Sequence, residues 1–204
     1  MFNCDCMDFM RDCDKYDLAI VDPPYGIGES GGDKKRNRKY NRIVKHLKKD
    51  WDKKAPNNDY FKPLFKSSKN QIVWGANYMI NHLYPSMGWI YWDKRIGGDF
   101  SDGELAWTSF NRALRSYSYS HVGDTKGGHT RIHPTQKPVP LYKWILKNYA
   151  NEGDRILDTH GGSMSIAIAC WDLGFDLDIC ELDTDYFNDA VKRFENHISQ
   201  TQLF

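Results

Sequence analysis

The stretch that most constrains the fold runs from 155 to 183 and reads RILDTHGGSMSIAIACWDLGFDLDICELD. A short apolar run is followed by the pair Gly161–Gly162, an apolar helical pattern and a second short run. The pattern predicts a helix that starts near Ser163 and stops before Gly174, because glycine is favoured just past a helix end. Strand, turn, helix and strand in this order predict a βαβ unit with two parallel strands.

Such a unit suits a nucleotide-type ligand. Glycine residues let the backbone approach a ligand closely, and the helix N-terminus presents free N–H groups. The acidic residue after the second strand, here Glu181, can accept hydrogen bonds from ribose hydroxyls. Met164 stands where a further glycine is expected. The alternative reading is therefore an ordinary tight turn between strand and helix that binds nothing.

A second constraint is VDPPYG at 21–26, which ends the apolar run LAIV at 18–21. Two consecutive prolines cannot continue a strand or enter a helix interior, so the sequence predicts a rigid turn at the strand end. In an open α/β sheet, ligands bind outside the carboxyl ends of the strands. We therefore expect this turn and the glycine pair to face one crevice.

The turn offers the groups that an exocyclic amine on a planar base requires. The lone pair of such a nitrogen is delocalised into the ring, so the amine is a poor nucleophile. The Asp22 carboxylate and the Pro23 carbonyl would grip its hydrogens and favour a pyramidal nitrogen, with the prolines fixing both acceptors. Tyr25 would stack on the base, which is worth about 1–3 kcal/mol. The base would first have to leave the duplex.

Alternating strand and helix patterns extend along most of the chain. Seven short runs predict strands, at 18–21, 71–74, 89–92, 105–110, 117–122, 155–158 and 176–180. Helical spacing of apolar residues occurs in PLYKWILKNYA and DYFNDAVKRFENHI. The alternation predicts an α/β layer fold in a single domain spanning 1–204. Residues 29–69 interrupt it and are interpreted as a basic insertion for target recognition, and 123–138 as a loop near the active face.

Charge is unevenly distributed, although the net charge is only +1. From Glu29 to Lys54 the sequence holds 11 basic residues and four acidic ones. Such a segment predicts contact with phosphates, and the alternative is a solvated segment without a partner. The candidate DNA-binding residues are Lys34, Lys35, Arg36, Arg38, Lys39 and Arg42.

Other classes of protein are disfavoured. No apolar stretch approaches the roughly 18 residues of a membrane span, and the N-terminus MFNCDCMDFM is too acidic for a signal peptide. We therefore expect a cytoplasmic protein. The five cysteines include no C-x-x-C pair, which favours reduced thiols over a metal site.

Taken together, these motifs resemble those of the amino-group DNA methyltransferases, which form N6-methyladenine or N4-methylcytosine. The segment at 22–25 resembles their catalytic motif, and the cofactor motif follows it, as in the circularly permuted β-group. The other resembling segments are NCDCMDFM at 3–10, QIVWGANY at 71–78, HPTQKP at 133–138, DTHGGSMS at 158–165 and CELDTDYF at 180–187.

The resemblance implies a fold, a reaction and a set of site residues. The fold is a Rossmann-like S-adenosylmethionine-dependent methyltransferase fold, circularly permuted, with a mostly parallel sheet of about seven strands flanked by helices. The reaction is methyl transfer from S-adenosylmethionine to the N6 amine of a flipped adenine in double-stranded DNA. The residues that would hold the base are Asp22, Pro23, Pro24 and Tyr25. The residues that would line the cofactor are Asp5, Cys6, Asp22, His133, Thr135, Lys137, Asp158, Gly162, Ser163, Glu181 and Asp183.

The sequence also departs from the family pattern. Thr159-His160 replaces the usual Pro-Phe, and Met164 replaces a glycine, which calls the affinity for the cofactor into question. Three alternatives follow: a cytosine-N4 enzyme, an RNA-modifying enzyme, and a non-catalytic DNA-binding subunit. Asp rather than Ser before Pro-Pro-Tyr favours adenine. The short region available for reading DNA predicts a short recognition site or a homodimer.

Overall fold

The computed structural model describes residues 1–30, 49–96, 101–120 and 131–201. Its strands are β1 (Tyr16–Val21), β2 (Ser68–Trp74), β3 (Trp89–Asp93), β4 (Gly103–Thr108), β5 (Arg115–Ser118), β6 (Arg155–Asp158) and β7 (Asp176–Ile179). Its helices are α1 (Cys6–Asp12), α2 (Asn58–Ser67), α3 (Val139–Tyr149), α4 (Ser165–Leu173) and α5 (Thr184–Thr201), with short 3₁₀ turns at Ala76–Tyr78 and Ile80–His82.

The seven strands form one sheet in the order β5-β3-β4-β2-β1-β6-β7. All neighbouring pairs are parallel except those of β4, which runs antiparallel to β2 and β3. The predicted α/β fold with a mostly parallel sheet of seven strands is confirmed. Predicted strand ends shift by a few residues, and 121 and 122 of the fifth predicted strand lie outside the described residues.

The two faces of the sheet are both covered, which explains the continuous apolar runs of the central strands. Leu18 and Ile20 of β1 pack in the cluster formed with α3 and α4. Ala19 and Val21 point the other way, into the cluster formed with α1 and α2. Because successive side chains alternate across a strand, one buried strand supplies both cores.

Helix α2 corrects the predicted boundary of the insertion at 29–69. Tyr60, Phe61 and Leu64 are buried at 5%, 1% and 0% exposure, so this part of the range belongs to the core. Asn57 caps the helix by accepting the N–H of Asp59 at 2.9 Å. The sequence disguises this helix because its lysines lower the apolar fraction and Pro63 lies inside it.

The N-terminus adds one further pairing beside β7. The Phe2 N–H donates to the Ile179 carbonyl at 2.8 Å, and the Glu181 N–H donates to the Phe2 carbonyl at 3.0 Å. This pairing places the first residues of the chain at the acidic end of β7. Within the described residues, no helix is both long and apolar enough to cross a membrane.

Candidate active site

The site lies where the strand order reverses. Strands β1 and β6 are neighbours, but the chain continues from β1 to β2 on one side and from β6 to β7 on the other. Open α/β sheets bind ligands at such a point, outside the carboxyl ends of the strands. Asp22 follows β1 and Asp158 ends β6, so the two carboxylates flank this crevice.

Asp22 is held by two donors of its own chain. The Tyr25 hydroxyl donates to Oδ1 at 2.7 Å, and the Lys137 ammonium donates to Oδ2 at 2.5 Å. The side chains of Asp22 and Lys137 are 16% and 3% exposed. Burial raises the pKa of Asp22 above its usual value, and Lys137 opposes that rise. The carboxylate is thus a fixed, poorly solvated acceptor.

A second carboxylate completes a buried charge network. Glu104 Oε2 lies 3.1 Å from the Lys137 ammonium and 3.2 Å from the Tyr25 hydroxyl, and Oε1 lies 2.6 Å from the Lys94 ammonium. Burial of Glu104 favours its neutral form, but Lys137 and Lys94 outweigh this and lower its pKa to about 2. The negative charges of Asp22 and Glu104 are therefore balanced by the positive charges of Lys137 and Lys94.

The ring of Tyr25 is fixed by the WGANY segment. A Cβ added at Gly75 would lie 2.0 Å from Tyr25 Cε1, so only glycine lets the ring approach this closely. Gly75 also has a φ of +64°, which glycine adopts without strain. Tyr78 stacks on the Tyr25 ring with centroids 5.3 Å apart and is itself 50% exposed.

At the other side of the crevice, Glu181 ties the glycine turn to the end of β7. Its two carboxylate oxygens accept the N–H groups of Gly162 at 2.7 Å and of Asp183 at 2.8 Å. The Gly161 N–H donates to the Cys180 carbonyl at 2.7 Å. Each carboxylate oxygen has a second acceptor site, so Glu181 can still receive hydroxyl donors from a ligand.

Met164 does not obstruct the crevice. Its backbone is left-handed, with a φ of 51°, but its side chain is 0% exposed and packs in the core with α4. The side chain therefore points away from the face that a ligand would approach. Arg193 of α5 supports the turn by donating to the Ser163 carbonyl at 2.7 Å and to the Ser165 hydroxyl at 3.0 Å.

The Thr159-His160 departure forms a local hydrogen-bonded chain. The Thr159 hydroxyl lies 2.7 Å from the Tyr60 hydroxyl and 2.9 Å from His160 Nδ1. Asp158 accepts the His160 N–H at 3.0 Å. Burial raises the pKa of Asp158 to about 8, with the charges of Asp22 and Glu181 adding to the effect. The carboxyl groups at the ends of β1, β6 and β7 are thus close enough to affect one another's ionisation.

An aromatic group closes the crevice near Asp183. The His133 ring lies 5.2 Å from the Trp51 ring and 4.4 Å from the Tyr186 ring. Trp51 Nε1 and the Tyr186 hydroxyl are both buried and interact with each other, but neither makes a hydrogen bond of good geometry in the described part of the chain. Lys49 donates to Asp183 at 2.6 Å and lies over the Tyr186 ring. Two buried polar atoms so weakly satisfied fit a polar ligand at this point.

Asp52 connects this group to the turn that follows β1, residues 22–25. Its carboxylate accepts the N–H of Gly26 at 2.8 Å and of Glu29 at 2.7 Å, and its carbonyl accepts the N–H of Gly28 at 3.0 Å. Next to it, the Lys49 N–H donates to the Ser30 carbonyl at 3.3 Å, and the Ser30 hydroxyl donates to the Lys49 carbonyl. Ser30 and Lys49 are therefore next to each other in space, close to Asp52 and to the turn that follows β1.

The remaining predicted residues occupy different places. Asp5 caps α1 by accepting the Met7 N–H at 2.8 Å, and Cys6 begins that helix and is 9% exposed. The Thr135 N–H donates to His133 Nδ1 at 3.4 Å, and the Thr135 hydroxyl lies 3.1 Å from the same nitrogen. Lys137 pairs with Asp22. The six candidate DNA-binding residues, Lys34 to Arg42, lie outside the described residues.

Sequence reasoning missed Glu104, Trp51, Tyr60, Tyr78 and Tyr142. Tyr142 of α3 is 6% exposed, and burial raises its pKa well above the usual value, with further contributions from Asp22 and Asp158. Only Glu104 carried a readable signal, since it is an acidic residue that directly precedes the apolar run LAWTSF. The other four are aromatic residues of a kind that usually fills cores.

Comparison with known proteins agrees with this geometry. Residues 66–192 match the N6/N4 methyltransferase family model, described as DNA methylase. The chain is 25% identical over 228 residues to the Type II methyltransferase M.HpaI of Haemophilus parainfluenzae, covering 90% of this chain and 69% of that protein.

Solved structures show the same fold. The complex of M1.HpyAVI with SAM matches with a TM-score of 0.63 and 18% identity, over 94% of this chain and 97% of that chain. TTHA0409 of Thermus thermophilus, complexed with S-adenosyl-L-methionine, matches with a TM-score of 0.57 and 12% identity, over 95% and 93%. The PvuII methyltransferase, described as cytosine-N4-specific, matches with a TM-score of 0.60 and 13% identity, over 98% and 89%.

The predicted resemblance and the predicted methyltransferase fold are both confirmed. The family model covers more than half of the chain and includes β2 to β7, with the glycine turn and Glu181. The chain belongs to the N6/N4 DNA methylase family, the methyltransferases that act on exocyclic amino groups of DNA bases.

Proposed function

We propose that the protein is an S-adenosylmethionine-dependent DNA methyltransferase that modifies the N6 amine of adenine. The observation that carries this proposal is the place of Asp22. Its carboxylate stands at the end of β1, largely buried and preorganised, beside the crevice that Asp158 and Glu181 line from the neighbouring strand ends. Aspartate rather than serine before Pro-Pro-Tyr supports adenine.

In this proposal Asp22 and the Pro23 carbonyl accept the two hydrogens of the target amine. Both acceptors belong to a turn that the prolines hold rigid, so little reorganisation accompanies the reaction. Two accepted hydrogen bonds favour a pyramidal nitrogen whose lone pair points away from the base. Burial raises the pKa of Asp22, which makes its carboxylate a better acceptor for the proton that the methylated amine must lose.

The residues at the other side of the crevice fit the cofactor of this family. Glu181 would receive ribose hydroxyls, while Gly162 and Ser163 would line the methionine end together with Asp158. The weakly satisfied Trp51 Nε1 and Tyr186 hydroxyl would offer further hydrogen bonds to the cofactor beside His133 and Asp183. When bound, S-adenosylmethionine supplies an electrophilic methyl group on a sulfonium. We expect Thr135, Asp5 and Cys6 to border the same ligand.

Double-stranded DNA is the proposed substrate, and the basic residues between Glu29 and Lys54 are proposed to contact its phosphates. Ser30 and Lys49 anchor that part of the sequence next to the catalytic turn. A single domain spanning the chain, a homodimer and a cytoplasmic location remain predictions. Tyr25 or the exposed Tyr78 would stack on the base that leaves the duplex.

The test is analysis of the product. The wild type and Asp22→Ala would be expressed in a bacterial host that lacks its own DNA methylation. The DNA would be digested and its methylated nucleosides quantified by mass spectrometry. A matched control is Asp176→Ala, which removes an exposed aspartate at the start of β7. We expect N6-methyladenine with the wild type and the control, and none with Asp22→Ala.

Other products in this assay would indicate other functions. N4-methylcytosine would keep the mechanism and change the base, as the similarity to the cytosine-N4-specific PvuII enzyme allows. A soluble wild type that modifies no DNA base would refute the proposal. Titration with S-adenosylmethionine would then separate an RNA-modifying enzyme, which binds the cofactor, from a silent DNA-binding subunit, which does not.

A further inference from the structure

Both oxygens of Asp22 already accept a hydrogen bond before any base arrives. Tyr25 donates to one oxygen at 2.7 Å and Lys137 donates to the other at 2.5 Å. Each oxygen keeps a second acceptor site, but an oxygen that a strong donor already polarises accepts a further hydrogen bond less well. Asp22 therefore binds an amine best when these two donors turn toward another acceptor.

Glu104 stands within reach of both donors. One oxygen, Oε2, lies 3.1 Å from the Lys137 ammonium and 3.2 Å from the Tyr25 hydroxyl. Both are already hydrogen-bond contacts, but they are longer than the corresponding contacts to Asp22, so the donors favour Asp22 in the described state. A shift of about 0.5–0.6 Å would bring either donor as close to Glu104 as it now is to Asp22.

The surroundings of Glu104 suit it to this exchange. It lies on β4 and is paired in register with Trp92, so its backbone is fixed by the neighbouring strand β3. Lys94 holds its other oxygen at 2.6 Å and keeps the carboxylate charged. Moving Lys137 and the Tyr25 hydroxyl from Asp22 to Glu104 changes no net charge in the buried network.

We propose that Glu104 is a positioning residue that accepts the Lys137 ammonium and the Tyr25 hydroxyl when Asp22 takes up the target amine. The exchange involves hydrogen bonds and an ion pair only, with no covalent step. The inference rests on the proposed function, because it assigns to Glu104 the release of Asp22 for the amine.

The test uses Glu104→Gln, which keeps the shape of the side chain but removes its charge. The measurements are the single-turnover rate on unmethylated genomic DNA and the dissociation constant for S-adenosylmethionine. We expect the rate to fall roughly 10- to 100-fold because Asp22 stays engaged. Cofactor affinity should be unchanged. The matched control is Asp17→Asn on β1, an acid that pairs with Lys69 at 2.5 Å at the far end of the sheet; its rate should equal that of the wild type.

A double-mutant cycle separates this role from a merely structural one. Tyr25→Phe removes one of the two donors while keeping the ring. If Glu104 acts by receiving that donor, then Tyr25→Phe slows the enzyme less in the Glu104→Gln background than in the wild type. Multiplicative effects of the two substitutions would overturn the proposal. So would a Glu104→Gln rate equal to that of the Asp17→Asn control.

If Glu104→Gln does not fold, Glu104→Asp keeps the charge but withdraws the carboxylate by one methylene, and the same fall in rate is expected; an unchanged rate would overturn the proposal. A wild type that transfers no methyl group refutes the proposed function itself, and with it the role of Glu104. An active wild type with an unaffected Glu104→Gln variant refutes only the role of Glu104.

Discussion

Replacing Gly75 by alanine tests how the ring of Tyr25 is held. The new Cβ would lie 2.0 Å from Tyr25 Cε1, and ordinary contact begins at 3.4 Å, so the ring must retreat. Its hydroxyl would then leave Asp22, to which it now donates at 2.7 Å. Losing a hydrogen bond to a charged acceptor costs about 1.5–3 kcal/mol. The left-handed backbone at this position adds about 1–2 kcal/mol for a residue with a Cβ.

The chain offers a matched control at Gly153. It also has a left-handed backbone, with a φ of +81°, but a Cβ there meets nothing within 4 Å. Gly153→Ala should therefore lower the free energy of unfolding by about 1–2 kcal/mol and leave methyl transfer unchanged. Gly75→Ala should lower it by about 2.5–5 kcal/mol and reduce the single-turnover rate about 100-fold. Urea denaturation and a radiolabelled methyl-transfer assay measure these quantities. Equal transfer rates in the two variants would refute the argument.

Three other substitutions test separate parts of the site. Met164→Gly should reduce the free energy of unfolding, measured by urea denaturation, by about 2 kcal/mol. Losing a buried methionine side chain costs ~2–5 kcal/mol, and relief of the left-handed backbone returns only ~1–2 kcal/mol. Asp158→Asn should flatten the pH dependence of stability between about pH 4 and pH 8. The folded wild type keeps the Asp158 proton up to about pH 8, whereas the unfolded chain loses it near pH 4, so wild-type stability falls by up to about 1.4 kcal/mol per pH unit. An equal slope in both proteins, from denaturation at several pH values, would contradict that pKa. Asp52→Ala should destabilise the protein by about 1.5–3 kcal/mol and raise the KM for DNA, because two N–H groups after the catalytic turn lose their acceptor; unchanged denaturation and steady-state kinetics would contradict this.

Much of the fold could be predicted because its signals are local. The run at 18–21, the glycine pair at 161–162 and the helix stop at Gly174 each depend on neighbouring residues alone. Helix α2 escaped prediction because Pro63 and its lysines obscure an aromatic face that only the core reveals. Short apolar runs in the sequence therefore predicted the strands of the sheet, whereas the apolar spacing of α2 was too weak to predict this helix.

The site was only partly predictable, for a different reason. Asp22, Glu104 and Lys137 come from three distant parts of the chain, and nothing near any of them indicates the pairing of their charges. The direction of the Met164 side chain depends on a left-handed backbone that a single sequence does not specify. The chemistry available at one turn can be predicted from its residue types. A charge network that joins several strands and loops can be recognised only when the distances between its side chains are known.

The hydrogen bonds between Ser30 and Lys49 have a consequence for the turn that follows Asp22. They join two residues that lie next to Asp52, whose carboxylate accepts the N–H groups of Gly26 and Glu29. The geometry on which Asp22 depends is therefore held by contacts from both sides of this pair. A substitution that opens the Ser30–Lys49 pair would reach Asp22 indirectly, by loosening Asp52 and the two N–H groups that it holds.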